Sequence, residues 1–193
     1  MKISAEQGTV LLSWARAELR RELGGPPVAR PAEAWGEVPA ATFVTPRWAD
    51  DGRLQGCIGS IEARRTLVDD VGENAIAAGL FDPRAERLAL CEVDHLDVEL
   101  SVISPLERIE FTGRGSAYAA LRPGIDGVVF STRHRRATLL PSMWETLPTP
   151  DVFMAMLMRK AGCSPDAWSD DVRLWRYTAD KHVDVAPARR RAS

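Results

Sequence analysis

The chain has 193 residues, 45% of them hydrophobic and 27% charged, with a formal net charge of −2. That length supplies one sizeable core or two small ones, and the near-neutral balance gives no electrostatic reason to expect a nucleic-acid binder. Three widely spaced cysteines (Cys57, Cys91, Cys163) without a CxxC or Cys/His pairing argue for free thiols in a cytoplasmic protein, with neither a disulfide frame nor a metal site. No apolar run reaches the length of a membrane span.

In chain order, Ser4-Ala5-Glu6-Gln7 fits a capping box. Leu12, Ala15, Leu19 and Leu23 follow at helical spacing, so residues 5–23 read as an amphipathic helix. Gly24-Gly25-Pro26-Pro27 stops it, and residues 24–39 read as a surface connection. A strand is expected at 41–45, with Asp50-Asp51-Gly52 as the hairpin signal into residues 54–61. That segment, Leu-Gln-Gly-Cys-Ile-Gly-Ser-Ile, reads as a strand with Gln55 and Cys57 on one face and Gly56 on the other. Glycines inside a strand mark a bulge or a close approach. Gly56 is therefore expected to be crowded, and Gly59, on the Cys57 face, to have room for a methyl.

Residues 66–78 read as a helix capped by Thr66 and ended near Gly79, with Leu67, Val71, Ala75 and Ala78 as its apolar stripe. Helix polarity suffices to explain Asp69, Asp70 and Glu73. Strands are expected at 96–102, 127–130, 137–140 and 172–177, and a helix from Pro150 to about 161 closed by Gly162. Its Phe153, Met156, Leu157 and Met158 read as core contacts. Helices and strands mix without regular βαβ alternation, which favours an α+β fold.

Cys57 leads the candidates for chemistry, as a nucleophile or simply as a small buried residue. A cationic neighbour would come from Arg53, Arg64 or Arg84. Cys91 reads as a strand-edge residue and Cys163 as structural. His95, His134 and His182 give weak signals, and nothing local pairs one of them with Cys57. In Asp82-Pro83-Arg84 the arginine can hold a bound acid while Asp82 orients it, or the two can staple a loop. The basic segments 133–136 and 189–191 lack the interleaved aromatics of a nucleic-acid surface.

These motifs together resemble one family. LQGCIGSIEA (54–63), DDVGENA (69–75), FDPR (81–84), VELSVISP (98–105), LRPGIDGVVF (121–130), residues 135–168 and VRLWRY (172–177) are similar, in register, to the AMMECR domain family, known in bacteria as AmmeMemoRadiSam system protein A. The resemblance spans essentially the whole chain, a single domain over 1–185 followed by a flexible basic tail at 186–193. It implies an α+β fold with a mostly antiparallel, barrel-like sheet flanked by helices, in two unequal subdomains. It places the cysteine of GCIG on a cleft, with Gln55, Asp82, Arg84 and Asp126 as substrate-binding candidates and no cofactor. It implies partnership with a Memo-like protein and a radical SAM protein, and either an enzymatic role on a nucleotide, RNA or small molecule or a non-catalytic ligand-binding or adaptor role. Gln55 stands where the family carries arginine, Ala85-Glu86-Arg87 where it carries Phe-Pro-Pro, and Asp126 agrees with the bacterial branch.

Overall fold

The computed structural model describes residues 2–187. Its secondary structure divides between two compact units, one comprising the chain up to Ile103 and again from Asp180, the other Ser104–Ala179.

In the first unit helix α1 (Ala5–Glu22) opens on the expected capping box. The Ser4 hydroxyl accepts the Gln7 amide at 3.1 Å and the Gln7 side chain accepts the Ser4 amide at 2.8 Å, satisfying donors that the first turn leaves unpaired. Strand β1 (Pro39–Trp48) is longer than the expected 41–45. It leads through a turn, where Gly52 adopts φ +73°, into an irregular segment and the short strands β2 (Ile58–Gly59) and β3 (Arg65–Thr66). Helix α2 (Leu67–Ile76) begins where Thr66 accepts the Asp69 amide, and continues as a π-helical turn over Ala77–Phe81. A 3₁₀ turn (Leu90–His95) precedes β4 (Leu96–Ile103).

The second unit runs β5 (Glu107–Ile109), α3 (Arg114–Ala119), β6 (Gly127–Ser131), β7 (Arg136–Leu139), α4 (Pro150–Lys160) and β8 (Arg173–Tyr177). The chain then returns to the first unit as β9 (Ala179–Asp184).

The strands form two antiparallel sheets. In the first the order is β2-β1-β4-β9, with β3 also on β1; in the second it is β5-β8-β6-β7. The longest pairing is β1 with β4, in register from Ala41↔Ile103 to Trp48↔Leu96. Both sheets end in edge strands and neither closes, so the α+β class holds while the barrel-like sheet does not. Strands β5 and β9 and helix α3, absent from the sequence reading, are short or alternate too weakly to register.

Each unit has its own core. In the first, α1 and α2 set Leu11, Leu12, Ala15, Leu67, Val68 and Val71 against Val44, Val98, Leu100 and Val102 of the sheet. Each large aliphatic buried this way contributes roughly 1.5–3 kcal/mol. In the second, Phe153, Met154, Leu157 and Met158 of α4 cover Val128, Phe130 and Leu174, and Trp144 stacks on Phe153 with ring centroids 3.9 Å apart. Met156 is exposed, a correction to its reading as core, because it falls outside the arc of α4 that carries the buried Phe153, Met154, Leu157 and Met158. Packing persists to Ala186, whose amide donates to Asp97 at 2.7 Å. Residues 188–193, most of the expected tail, lie outside the described residues.

Candidate functional site

The segment 54–61 is not a continuous strand. Leu54 bridges Arg47 and the Gln55 amide donates to Pro46, after which the backbone leaves β1; it returns only where Ile58 and Gly59 pair with Val44 and Phe43. Cys57 sits in the gap. Two contacts hold the segment away from the strand, and neither is local in sequence. A methyl on Gly56 would lie 2.0 Å from the Ala78 carbonyl oxygen, so glycine is required for backbone to meet backbone there. The Gln55 side chain caps the end of the π-helical turn, its amide nitrogen donating to the Gly79 carbonyl at 2.9 Å and to the Glu86 carbonyl at 2.7 Å. Its oxygen accepts the Trp48 indole N–H at 2.9 Å.

Gln55, read as a substrate-binding candidate, is thus wholly buried and makes framework contacts. Gly59 also departs from expectation, since a methyl there would meet the Phe43 ring at 2.3 Å and the Thr42 carbonyl at 2.4 Å. Close pairing with β1 removes the room that a regular alternation would have left.

With the ladder broken, the Cys57 amide needs another acceptor. Asp82 provides it, at 2.9 Å. The same carboxylate accepts the Arg84 amide, its Nε and its Nη2, at 2.9, 2.9 and 2.7 Å. The Asp82 side chain is 1% exposed and that of Arg84 61%. Asp82 is therefore an anchor with one hand on the cysteine backbone and the other on a guanidinium, whose Nη1 has no acceptor among the described residues. Hydrogen bonds from the Arg84 guanidinium, with that from Cys57, hold the Asp82 carboxyl well below the usual carboxylate range against the opposing effect of burial. The Arg84 guanidinium is raised chiefly by its bond to Asp82, and its attraction to the Cys57 sulfur acts in the same direction. The sulfur also accepts the Thr45 hydroxyl at 3.2 Å.

A second polar cluster fixes the far side of this segment. The Asp70 carboxylate accepts the Thr42 amide and hydroxyl, both at 2.8 Å, the Ser60 hydroxyl at 2.9 Å and the Asn74 amide at 3.0 Å. Asp70 is 1% exposed, so helix polarity, sufficient for Asp69 at the cap, does not account for it. This is a correction. Asp70 ties α2, β1 and Ser60 together, because a buried carboxylate persists only with such partners. The sequence did hold a signal: Asp70 and Asn74 fall beside Val71 and Ala75 on the apolar face of α2. Thr45 carried none, being one polar residue in a strand.

The remaining candidates lie elsewhere. Asp126 belongs to the second unit, fully buried, and accepts the Arg122 amide at 2.9 Å and its guanidinium at 2.9 and 2.6 Å. Asp126, read as a substrate-binding candidate, is thus engaged by Arg122 within the second unit. Arg53 lies over Trp48 and pairs with Glu86 and Asp51, and Arg64 pairs with Glu62; Arg84 is the cation beside the thiol. Cys91 is exposed on the 3₁₀ turn rather than at a strand edge, and Cys163 is half-buried against the second core. His95 and His134 are exposed, and His182 lies against Gly8 of α1. Among the described residues no histidine bonds to Cys57, and no group of three or more His, Cys, Asp or Glu is placed to hold a metal ion. No described helix is long and apolar enough to cross a membrane.

Comparison with known proteins identifies the family. The AMMECR1 family profile matches residues 12–182. Protein MJ0810 of Methanocaldococcus jannaschii is 30% identical, over 96% of this chain and 94% of its own. A Thermotoga maritima protein is 33% identical over 74% of this chain and 77% of its own. The crystal structure of uncharacterized protein PH0010 from Pyrococcus horikoshii superposes with a TM-score of 0.88 at 28% identity, covering 97% and 96% of the two chains. With its two-unit α+β architecture and its collinear motifs thus matched along nearly the full length, this chain belongs to the AMMECR1 family.

Proposed function

We propose that this protein is an enzyme or enzyme subunit that takes a small anionic substrate, a nucleotide or another phosphate- or carboxylate-bearing molecule, at Cys57. In this reading Arg84 binds the anion and the Cys57 sulfur is the reacting group. Asp82 is a positioning residue, because it acts through the other two. The observation that carries the proposal is the double duty of Asp82, which fixes a half-buried thiol and an exposed guanidinium from one buried carboxylate. A guanidinium with donors to spare recognises planar oxyanions. The family resemblance supports work in sequence with a Memo-like protein and a radical SAM protein.

A second reading is favoured by one observation. Phe81, immediately before Asp82, is 69% exposed, and exposed aromatics are common anchors of protein interfaces. On that reading the site docks a partner and Cys57 is structural.

Complementing a deletion strain with Cys57→Ser, together with pull-down of the Memo-like and radical SAM proteins, separates the two. Loss of the pathway's product with assembly intact supports the enzymatic reading. Product and assembly both retained would overturn it.

A further inference from the structure

The second unit carries a pocket of its own. It has a volume of about 220 Å³ and opens where β5 and β8 part company, between residues 108–113 and 168–173. At about 30 Å³ for each water of liquid volume, it accommodates a molecule of roughly seven to ten non-hydrogen atoms.

The strand register explains its chemistry. Arg108 lies opposite Trp175 and Ile109 opposite Leu174, so the next position would set Glu110 opposite Arg173. Side chains alternate across a strand. Arg108, Glu110 and Arg173 therefore share the outer face, while Ile109, 2% exposed, and Val172, 1% exposed, turn toward the core. Pairing stops at Ile109, and the two chains diverge around an aromatic wall. Trp168 meets Phe111 edge to face at 5.7 Å and Tyr118 at 5.8 Å.

Donors without acceptors stand beside this wall. Trp14, Trp48 and Trp144 each give their indole N–H to a protein oxygen. No described residue accepts that of Trp168, nor those of Trp35 and Trp175. Arg173 donates through Nη1 alone, to the carbonyls of Asp170 and Val172 at 2.9 and 2.8 Å, so its loop fixes the guanidinium while Nε and Nη2 keep their hydrogens for something else. Arg108 is held on the rim by Glu110 at 3.0 Å.

We infer that this pocket is a binding site for a small carboxylate with a flat apolar body. The body packs against Phe111 and Trp168, and the carboxylate takes the free edge of Arg173, a bidentate geometry that suits guanidinium and carboxylate. The lining joins the two aromatic rings to charged side chains, Arg108 and Arg173 with Glu110 and Asp170, and convergent polar groups of this kind fix a ligand's orientation. This inference does not depend on the Cys57 site, which lies in the other unit.

The test is nitrogen-15 NMR of the full chain, titrated with benzoate as the probe, with benzylamine and acetate as controls. Benzoate is expected to shift the Trp168 indole resonance and the Arg173 Nε resonance along one saturable curve. Benzylamine should not, and acetate should do so at least tenfold more weakly. Arg173→Gln is expected to weaken benzoate at least tenfold, with an unmoved Trp144 indole resonance confirming the fold; Trp168→Phe serves as the second variant. No shift with benzoate, an equal response to benzylamine, or unchanged affinity in both variants would overturn the assignment.

Discussion

Two aspartates, one in each unit, do the same thing locally and opposite things globally. Asp82 clasps an arginine two residues on, and Asp126 clasps one four residues back. Both carboxylates are buried and both arginines largely exposed, at 61% and 48% of their side chains. The difference lies in what else each aspartate holds. Around Asp126 everything serves the core: its backbone carbonyl accepts the Trp144 indole N–H at 2.7 Å, and Arg176 approaches its carboxylate at 3.8 Å. Asp82 instead holds the amide of a half-buried cysteine. An aspartate–arginine clasp is thus a loop staple by default, and it becomes part of a site when its remaining acceptor capacity reaches a chemically useful group.

The sharpest way to break this comparison is at Asp126. Asp126→Ala strips several charge-assisted hydrogen bonds from a fully buried position, and its expected cost is about 3 kcal/mol or more, read by urea denaturation. Cys57 should alkylate at its normal rate in the native variant. A changed rate would mean that Asp126 serves the Cys57 site after all.

Gly56→Ala comes next. Its methyl would press on a backbone carbonyl that no side-chain motion can clear, so a loss of roughly 1–3 kcal/mol is expected. Gly59→Ala faces both the Phe43 ring and the Thr42 carbonyl, so it should be destabilising too. A neutral result at either position would show that this segment moves more freely than its contacts imply.

Asp82→Asn keeps an acceptor but loses the charge, for an expected cost of about 1–2 kcal/mol near neutral pH. The sign of its pH dependence follows from the depressed Asp82 carboxyl. The folded value lies below the unfolded value of about 4, so the stabilisation is complete above that pH and is lost as pH falls below it. Urea midpoints of wild type and Asp82→Asn should therefore converge between about pH 5 and pH 2. Parallel curves would deny that Asp82 is ionised for structural reasons. Arg84→Ala leaves the 1% exposed Asp82 carboxylate with backbone amides alone for partners, so a loss of about 1–2 kcal/mol is expected, comparable to that of Asp82→Asn.

Much of the framework was legible in the chain. The Ser4–Gln7 box, the Thr66 cap, the Pro150 start and the Gly162 stop of the helices are local signals, and locality is what sequence reading captures. The 54–61 segment failed for the opposite reason. Its apparent alternation is overridden by Ala78, Gly79 and Asp82, more than twenty residues away, which draw Gln55, Gly56 and Cys57 off the strand. Of the candidate residues, Cys57, Asp82 and Arg84 converge, while Gln55 and Asp126 do not. Their burial could not be read from residue type, since an inward glutamine capping a helix end looks in sequence like one facing a cleft. Asp70 was passed over because a first-turn acid has an adequate local explanation, and only its place beside Val71 hinted otherwise.

The central claim is that the Asp82-held guanidinium of Arg84 acts on the Cys57 sulfur and on whatever anion meets it. Its most direct test compares alkylation by iodoacetate, which is anionic, with alkylation by neutral iodoacetamide, followed peptide by peptide at Cys57 and at exposed Cys91 by mass spectrometry. The iodoacetate-to-iodoacetamide rate ratio should be about tenfold higher at Cys57 than at Cys91, the factor given by roughly 1.4 kcal/mol of charge attraction. In Arg84→Ala it should fall to the Cys91 value. Equal ratios at the two cysteines, or a Cys57 ratio untouched by Arg84→Ala, would contradict the account.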